Sequence, residues 1–145
     1  MPAIKDFDQL LQAEINSYEG RHQNLIHQAP ALFRLLTNLL QDPNLPGRLR
    51  PLVIAAIGYF ALPVDIMPED LEGPSGYLDD IFLAAFITDQ IRQAVRSDEI
   101  LAGNWDGKVP ILSLIQDILE QEEALIGDKR ELVLWYIGYE YLAGA

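Results

Sequence analysis

Seven carboxylates (Asp65, Glu69, Asp70, Glu72, Asp79, Asp80 and Asp89) fall between Arg50 and Arg92, and no Lys, Arg or His separates those two arginines. Acids set among apolar residues with no local counter-charge must be paired from elsewhere, capped, solvated or bound to a cation. Hard divalent cations such as Mg²⁺ or Ca²⁺ take several oxygen ligands at short range. Asp65, Asp79 and Asp80, with Asp70 or Glu69 in addition, are the set from which such a site would be built. Pro63 and Pro68 restrict the backbone on either side of Asp65, which would preorganise it. Adjacent aspartates on one helix point about 100° apart, so at most one of Asp79 and Asp80 would face Asp65.

A structural reading competes with the cation and is favoured over it. Asp79 and Asp80 fall in the first turn of an expected helix, where exposed N–H groups favour acids by roughly 0.3–1 kcal/mol each. Asp65 follows a proline-ended helix and is placed to cap the next turn, worth about 1 kcal/mol, or to tie that helix to the one beginning near Tyr77. No residue is assigned a catalytic role. Asp79-Asp80-Ile81-Phe82-Leu83 has leucine where a D-D-x-x-D element needs its third aspartate. Met67 and Glu69 stand at ligand positions of an EF-hand loop, and its sixth-position glycine is absent. His22 and His27, five residues apart, would lie about 140° apart on a helix and share no ligand face. There is no cysteine, so thiolate metal sites, disulfides and cysteine nucleophiles are excluded.

The elements that position these groups read as helices. Phe7, Leu10, Leu11, Ile15 and Tyr18 predict a first helix over 5–19. Leu32, Leu35, Leu36, Leu39 and Leu40 form an i, i+3, i+4, i+7, i+8 stripe, stopped by Asp42-Pro43. A third helix is expected from Pro46 to about Leu62. A fourth runs from Tyr77 to about Leu101, with Ile81–Ile87 apolar on every side and therefore enclosed by other helices. A fifth runs from Pro110 to Gly127, its C-terminal glycine. Asp128 and Glu131 read as a capping-box variant opening a last helix. No strand pattern of similar quality exists. The expected fold is all-α: one domain over 1–145, a bundle of five to six helices around a central apolar hairpin with an acidic Pro/Gly-rich connection.

With 145 residues, half of them apolar, the chain can build a substantial core. A net charge of −12 with no basic stripe argues against nucleic acid and against anionic membrane surfaces. The N-terminal segment lacks the apolar core of a signal peptide, and the longest apolar run is too short to span a bilayer. The expected location is cytoplasmic, with peripheral membrane contact through the apolar hairpin a minor reading.

Tyr59, then Pro63-Val64-Asp65-Ile66-Met67-Pro68, then Gly76-Tyr77-Leu78-Asp79-Asp80 read as Y-x-x-x-P-[IV]-D-[LI]-x-P followed by G-[YF]-x-D-D. This pattern resembles the YkvA-like family of small bacterial helical domains of unknown function (DUF 1232), with a family-like core at about 50–92. The resemblance implies a helical hairpin around Tyr59, Pro63, Pro68, Gly76 and Tyr77, and no particular activity. Glu69-Asp70 departs from the single Asp that follows the second proline in similar proteins.

The last helix carries Trp135, Tyr136, Tyr139 and Tyr141 over more than one face. Such aromatics pack into a core or bury against a partner, a homodimer being the simplest partner. The favoured functional reading is a non-catalytic interaction or structural module with no cofactor, binding another protein or itself. The alternative is a divalent-cation-binding protein using Asp65, Asp79 and Asp80, the cation being either structural or hydrolytic.

Overall fold

A computed structural model describes residues 4–16, 18–20, 22–61 and 77–143. In chain order it contains α1 (Ile4–Ile15), α2 (Gln23–Ile26), α3 (Ala29–Gln41), a 3-10 turn (Gly47–Leu49) and α4 (Arg50–Ala61). Then follow α5 (Leu78–Val95), α6 (Glu99–Ala102), α7 (Ile111–Glu120), α8 (Glu122–Ile126), α9 (Arg130–Tyr136) and α10 (Tyr139–Ala143). The fold is all-α, and no strand occurs among the described residues.

The leucine stripe builds α3 and its packing together. Leu32, Leu35, Leu36 and Leu39 are fully buried and Leu40 packs at the edge of the core, each complete burial being worth roughly 1.5–3 kcal/mol. Pro30 occupies the first turn, where its missing N–H costs nothing. The helix ends where the Asp42 carboxylate accepts the Asn44 N–H at 2.8 Å. This helix packs against α1, α4 and α5.

Helix α5 is the centre of the bundle. Every residue from Leu78 to Thr88 is buried, because α3, α4, α7 and α8 all pack on it. An apolar surface on all sides is stable only when neighbours enclose it. Thr88 fits this interior by donating its hydroxyl to the Ala84 carbonyl at 2.7 Å.

Several expected helices are shorter than their periodicity suggested. The first ends at Ile15, where Tyr18 N–H closes onto the Ile15 carbonyl at 2.9 Å. The fourth stops at Val95: Arg96 turns into the left-handed region (φ 59°) with its N–H on the Arg92 carbonyl. That turn lets Ile100 and Leu101 reach the core from a separate helix. The fifth divides at Gln121 into α7 and α8, and Gly127 (φ 64°) closes α8 as a C-terminal glycine. The capping box does not form; Lys129 is the N-cap residue of α9 and no side chain caps it. Arg130 pairs instead with Glu122 at 3.1 Å, answering the unfavourable dipole position of a cation in a first turn.

Candidate functional site: a buried tyrosine–aspartate tie beside an aromatic face

Tyr59 lies in the last turn of α4, and Asp79 and Asp80 lie in the first turn of α5. All three are buried, Asp79 and Asp80 at 0% and 1% exposure. The Tyr59 hydroxyl donates to Asp79 Oδ2 at 2.7 Å, and Asp79 Oδ1 accepts the Asp80 N–H at 3.1 Å. One carboxylate therefore bonds both the closing turn of one helix and the opening turn of the next. Tyr77, also buried, immediately precedes α5. Asp65, Asp70, Pro63, Pro68 and Gly76 lie outside the described residues. Among the described residues no group of three or more His, Asp or Glu side chains could hold a metal ion.

The terminal aromatics border this tie. The Tyr136 ring meets Tyr59 edge-on, with centroids 5.6 Å apart and planes at 86°. Tyr139 packs edge-on against Phe86 at 5.2 Å and its hydroxyl donates to Gln90 Oε1 at 3.3 Å. The Arg130 guanidinium lies 5.1 Å over the Phe86 ring, so a cation already occupies that aromatic face. Trp135 is different: it is 75% exposed, flanked by Leu132 at 46% and Tyr136 at 42%. The side chain of Tyr141 lies outside the described residues. Two sets that sequence treated separately, the aspartates and the terminal aromatics, thus meet at Tyr59.

Sequence reasoning missed a polar clasp on another side of the molecule. Arg34 on α3 reaches Asp106 through Nε at 2.9 Å and Asp8 on α1 through Nη1 at 3.0 Å. The Asp106 hydrogen bond is the main reason its guanidinium holds its proton more tightly than usual. Asn104 adds to the clasp by donating to Asp42 at 2.8 Å, which is the main reason that carboxyl sits below its usual range, the Asn44 N–H being the second. The available signal was Arg34 itself, the one charged residue between His27 and Asp42 in an otherwise leucine-rich helix. His27 is exposed and donates from Nε2 to the Tyr18 carbonyl at 2.8 Å, a local structural role.

The fold and the tie define a small all-α protein organised on a helical hairpin. A family model described as "Protein of unknown function (DUF1232)" matches residues 50–86. That segment, α4 through the first half of α5, contains both Tyr59 and Asp79. The chain is also 26% identical over 133 residues to "Uncharacterized protein ORF9" of Methanothermobacter thermautotrophicus, a match spanning 92% of this chain and 90% of that one. No solved structure matches. Among the described residues no helix is long and apolar enough to cross a membrane.

Proposed function

We propose that the protein is a non-catalytic helical interaction module. The Tyr59–Asp79 tie holds the α4–α5 hairpin, and the α9 face carrying Leu132, Trp135 and Tyr136 receives another protein. The observation that carries this reading is the exposure of Trp135, 75%, with two further large apolar residues beside it at helical spacing. A tryptophan can bury roughly 200 Å² at about 25 cal/mol per Å², so leaving one in water is costly unless something covers it. Aromatic anchors of this kind dominate binding energy at protein interfaces.

The test separates surface from core. Trp135→Ala should leave the melting temperature within about 2 °C of the parent, as surface changes do. The same variant, immobilised, should fail to retain a protein that the parent retains from a lysate of the native cells. A melting temperature that collapses, as for a core residue, would sink the reading.

The alternative is a site for Mg²⁺ or Ca²⁺ on Asp79 and Asp80, completed by Asp65 and Asp70. What favours it is the complete burial of two adjacent carboxylates at one helix start. A cation at ~100 times its dissociation constant adds about 2.7 kcal/mol to stability. A saturable upward shift of the melt, lost in Asp80→Asn, would select this alternative; flat melts would reject it.

A further inference from the structure

We infer that the groove formed by α9 and α10 takes a basic amphipathic helix of a partner protein, an inference that rests on the interaction face proposed above and names its ligand. The groove has a volume of about 760 Å³ and is lined by Arg130, Glu131, Leu134, Trp135, Tyr139 and Glu140. Gly138 makes it: at φ 71° it breaks the terminal helix, its N–H bonding the Trp135 carbonyl at 2.9 Å. The chain then turns so that Tyr139 and Glu140 line the same groove as Trp135.

The chemistry of the lining selects the ligand. Arg130 is the one cation on it among the described residues, and that guanidinium is engaged by Glu122 and by the Phe86 ring. Glu131 and Glu140 make no ion pair among the described residues and leave the rim acidic. The exposed indole of Trp135 offers the aromatic face that attracts Lys and Arg most strongly. Leu134 and Tyr139, partly buried, supply an apolar floor. Cationic head groups with an apolar stripe meet all of these at once, the pattern of an amphipathic helix laid in a groove. A second copy of the chain would bring its own net charge of −12 and the same two rim glutamates, and like charges facing each other oppose docking. An anionic lipid surface is opposed for the same reason.

The full chain and each variant are titrated with three amphipathic peptides of one apolar pattern whose polar face is Lys, Gln or Glu; titration calorimetry gives the affinity in every case, and tryptophan fluorescence is followed in the chains that keep Trp135. Trp105, whose indole N–H is held by the Val109 carbonyl at 2.7 Å, supplies a constant background. The Leu/Lys peptide should bind saturably, shift the emission of Trp135 to the blue and release with added salt. Affinity should fall by about tenfold or more in Trp135→Ala and in the Glu131→Gln/Glu140→Gln pair, and should be unchanged in Glu99→Gln, an exposed acid that does not line the groove. Equal affinity for the Leu/Gln peptide, still lost in Trp135→Ala, overturns the basic ligand and leaves the interaction face standing. Binding indifferent to Trp135→Ala overturns both. A blue shift that grows with protein concentration alone, or on adding phosphatidylcholine vesicles, gives the groove to a second copy or to lipid and overturns the inference. Absence of binding to all three peptides overturns it as well.

Discussion

Replacing Tyr59 by Phe removes one oxygen and leaves the ring, its burial and its edge-on contact with Tyr136. What is lost is the 2.7 Å hydrogen bond to Asp79 between two groups shielded from water. A hydrogen bond to a charged acceptor contributes about 1.5–3 kcal/mol and one between neutral groups about 1 kcal/mol. A loss of about 2 kcal/mol is therefore expected for Tyr59→Phe, with no cavity term added. For a chain of this length 1 kcal/mol corresponds to about 3 °C, so the melting temperature should fall by about 6 °C. Urea titration gives the free energy, and an unchanged slope would show that the variant exposes the same surface on unfolding. A double-mutant cycle with Asp79→Ala, which removes the acceptor, isolates the pair and should give a coupling of at least about 1 kcal/mol. A change in Tyr59→Phe below about 0.5 kcal/mol, or zero coupling, refutes the tie and leaves the hairpin to apolar packing alone.

Three further outcomes follow from the same geometry. Gly138→Ala should cost about 1–2 kcal/mol in urea unfolding, because a Cβ meets nothing within 4 Å there but the backbone lies at φ 71°; Gly138→Asn, a residue that tolerates this region, should cost less. Arg34→Met should lose about 1 kcal/mol or less, since the guanidinium is 31% exposed and Asp106 is 53% exposed, and Arg34→Lys should not restore it because the two-nitrogen grip on Asp106 is lost. Asp42 has a folded pKa below its unfolded value, so its stabilisation is complete above the unfolded value and disappears as pH falls through the folded one. Paired urea melts of the parent and Asp42→Asn should show a gap at pH 7 that closes at strongly acid pH; a gap that widens in acid contradicts the assignment.

Where chain-local physics dominates, the residues were enough. The spacing of Leu32, Leu35, Leu36 and Leu39 predicted both a helix and its buried face, since an apolar stripe has one way to leave water. The unbroken apolar run Ile81–Ile87 predicted an enclosed helix, and α5 is enclosed. The placement of Asp79 and Asp80 in a first turn followed from the same reading, and the Tyr59-to-Asp80 pattern pointed to the family whose model covers 50–86. The helix breaks were not legible in this way. Nothing about arginine favours the left-handed conformation of Arg96; the turn is held because Ile100 and Leu101 gain burial by it. The capping box at Asp128 lost to a start at Lys129 and Arg130, where pairing with Glu122 across a tight turn takes its place.

For the candidate site, pattern alone selected Tyr59 and Asp79 within one motif and Trp135 and Tyr136 as a separate set, without giving the contacts that join them. Their relation depends on contacts between residues 20 to 77 positions apart, and no local preference encodes such a distance. The sequence placed Trp135, Tyr136 and Tyr139 on one last helix, over more than one of its faces, and packing sorted them: Val133 took the buried position, Tyr139 docked on Phe86 beyond a glycine break, and Trp135 was left in solvent. Hydrophobic patterning settles which residues seek burial. Only the assembled bundle, with its finite core surface, settles which of them obtain it, and Trp135 is the aromatic it leaves outside.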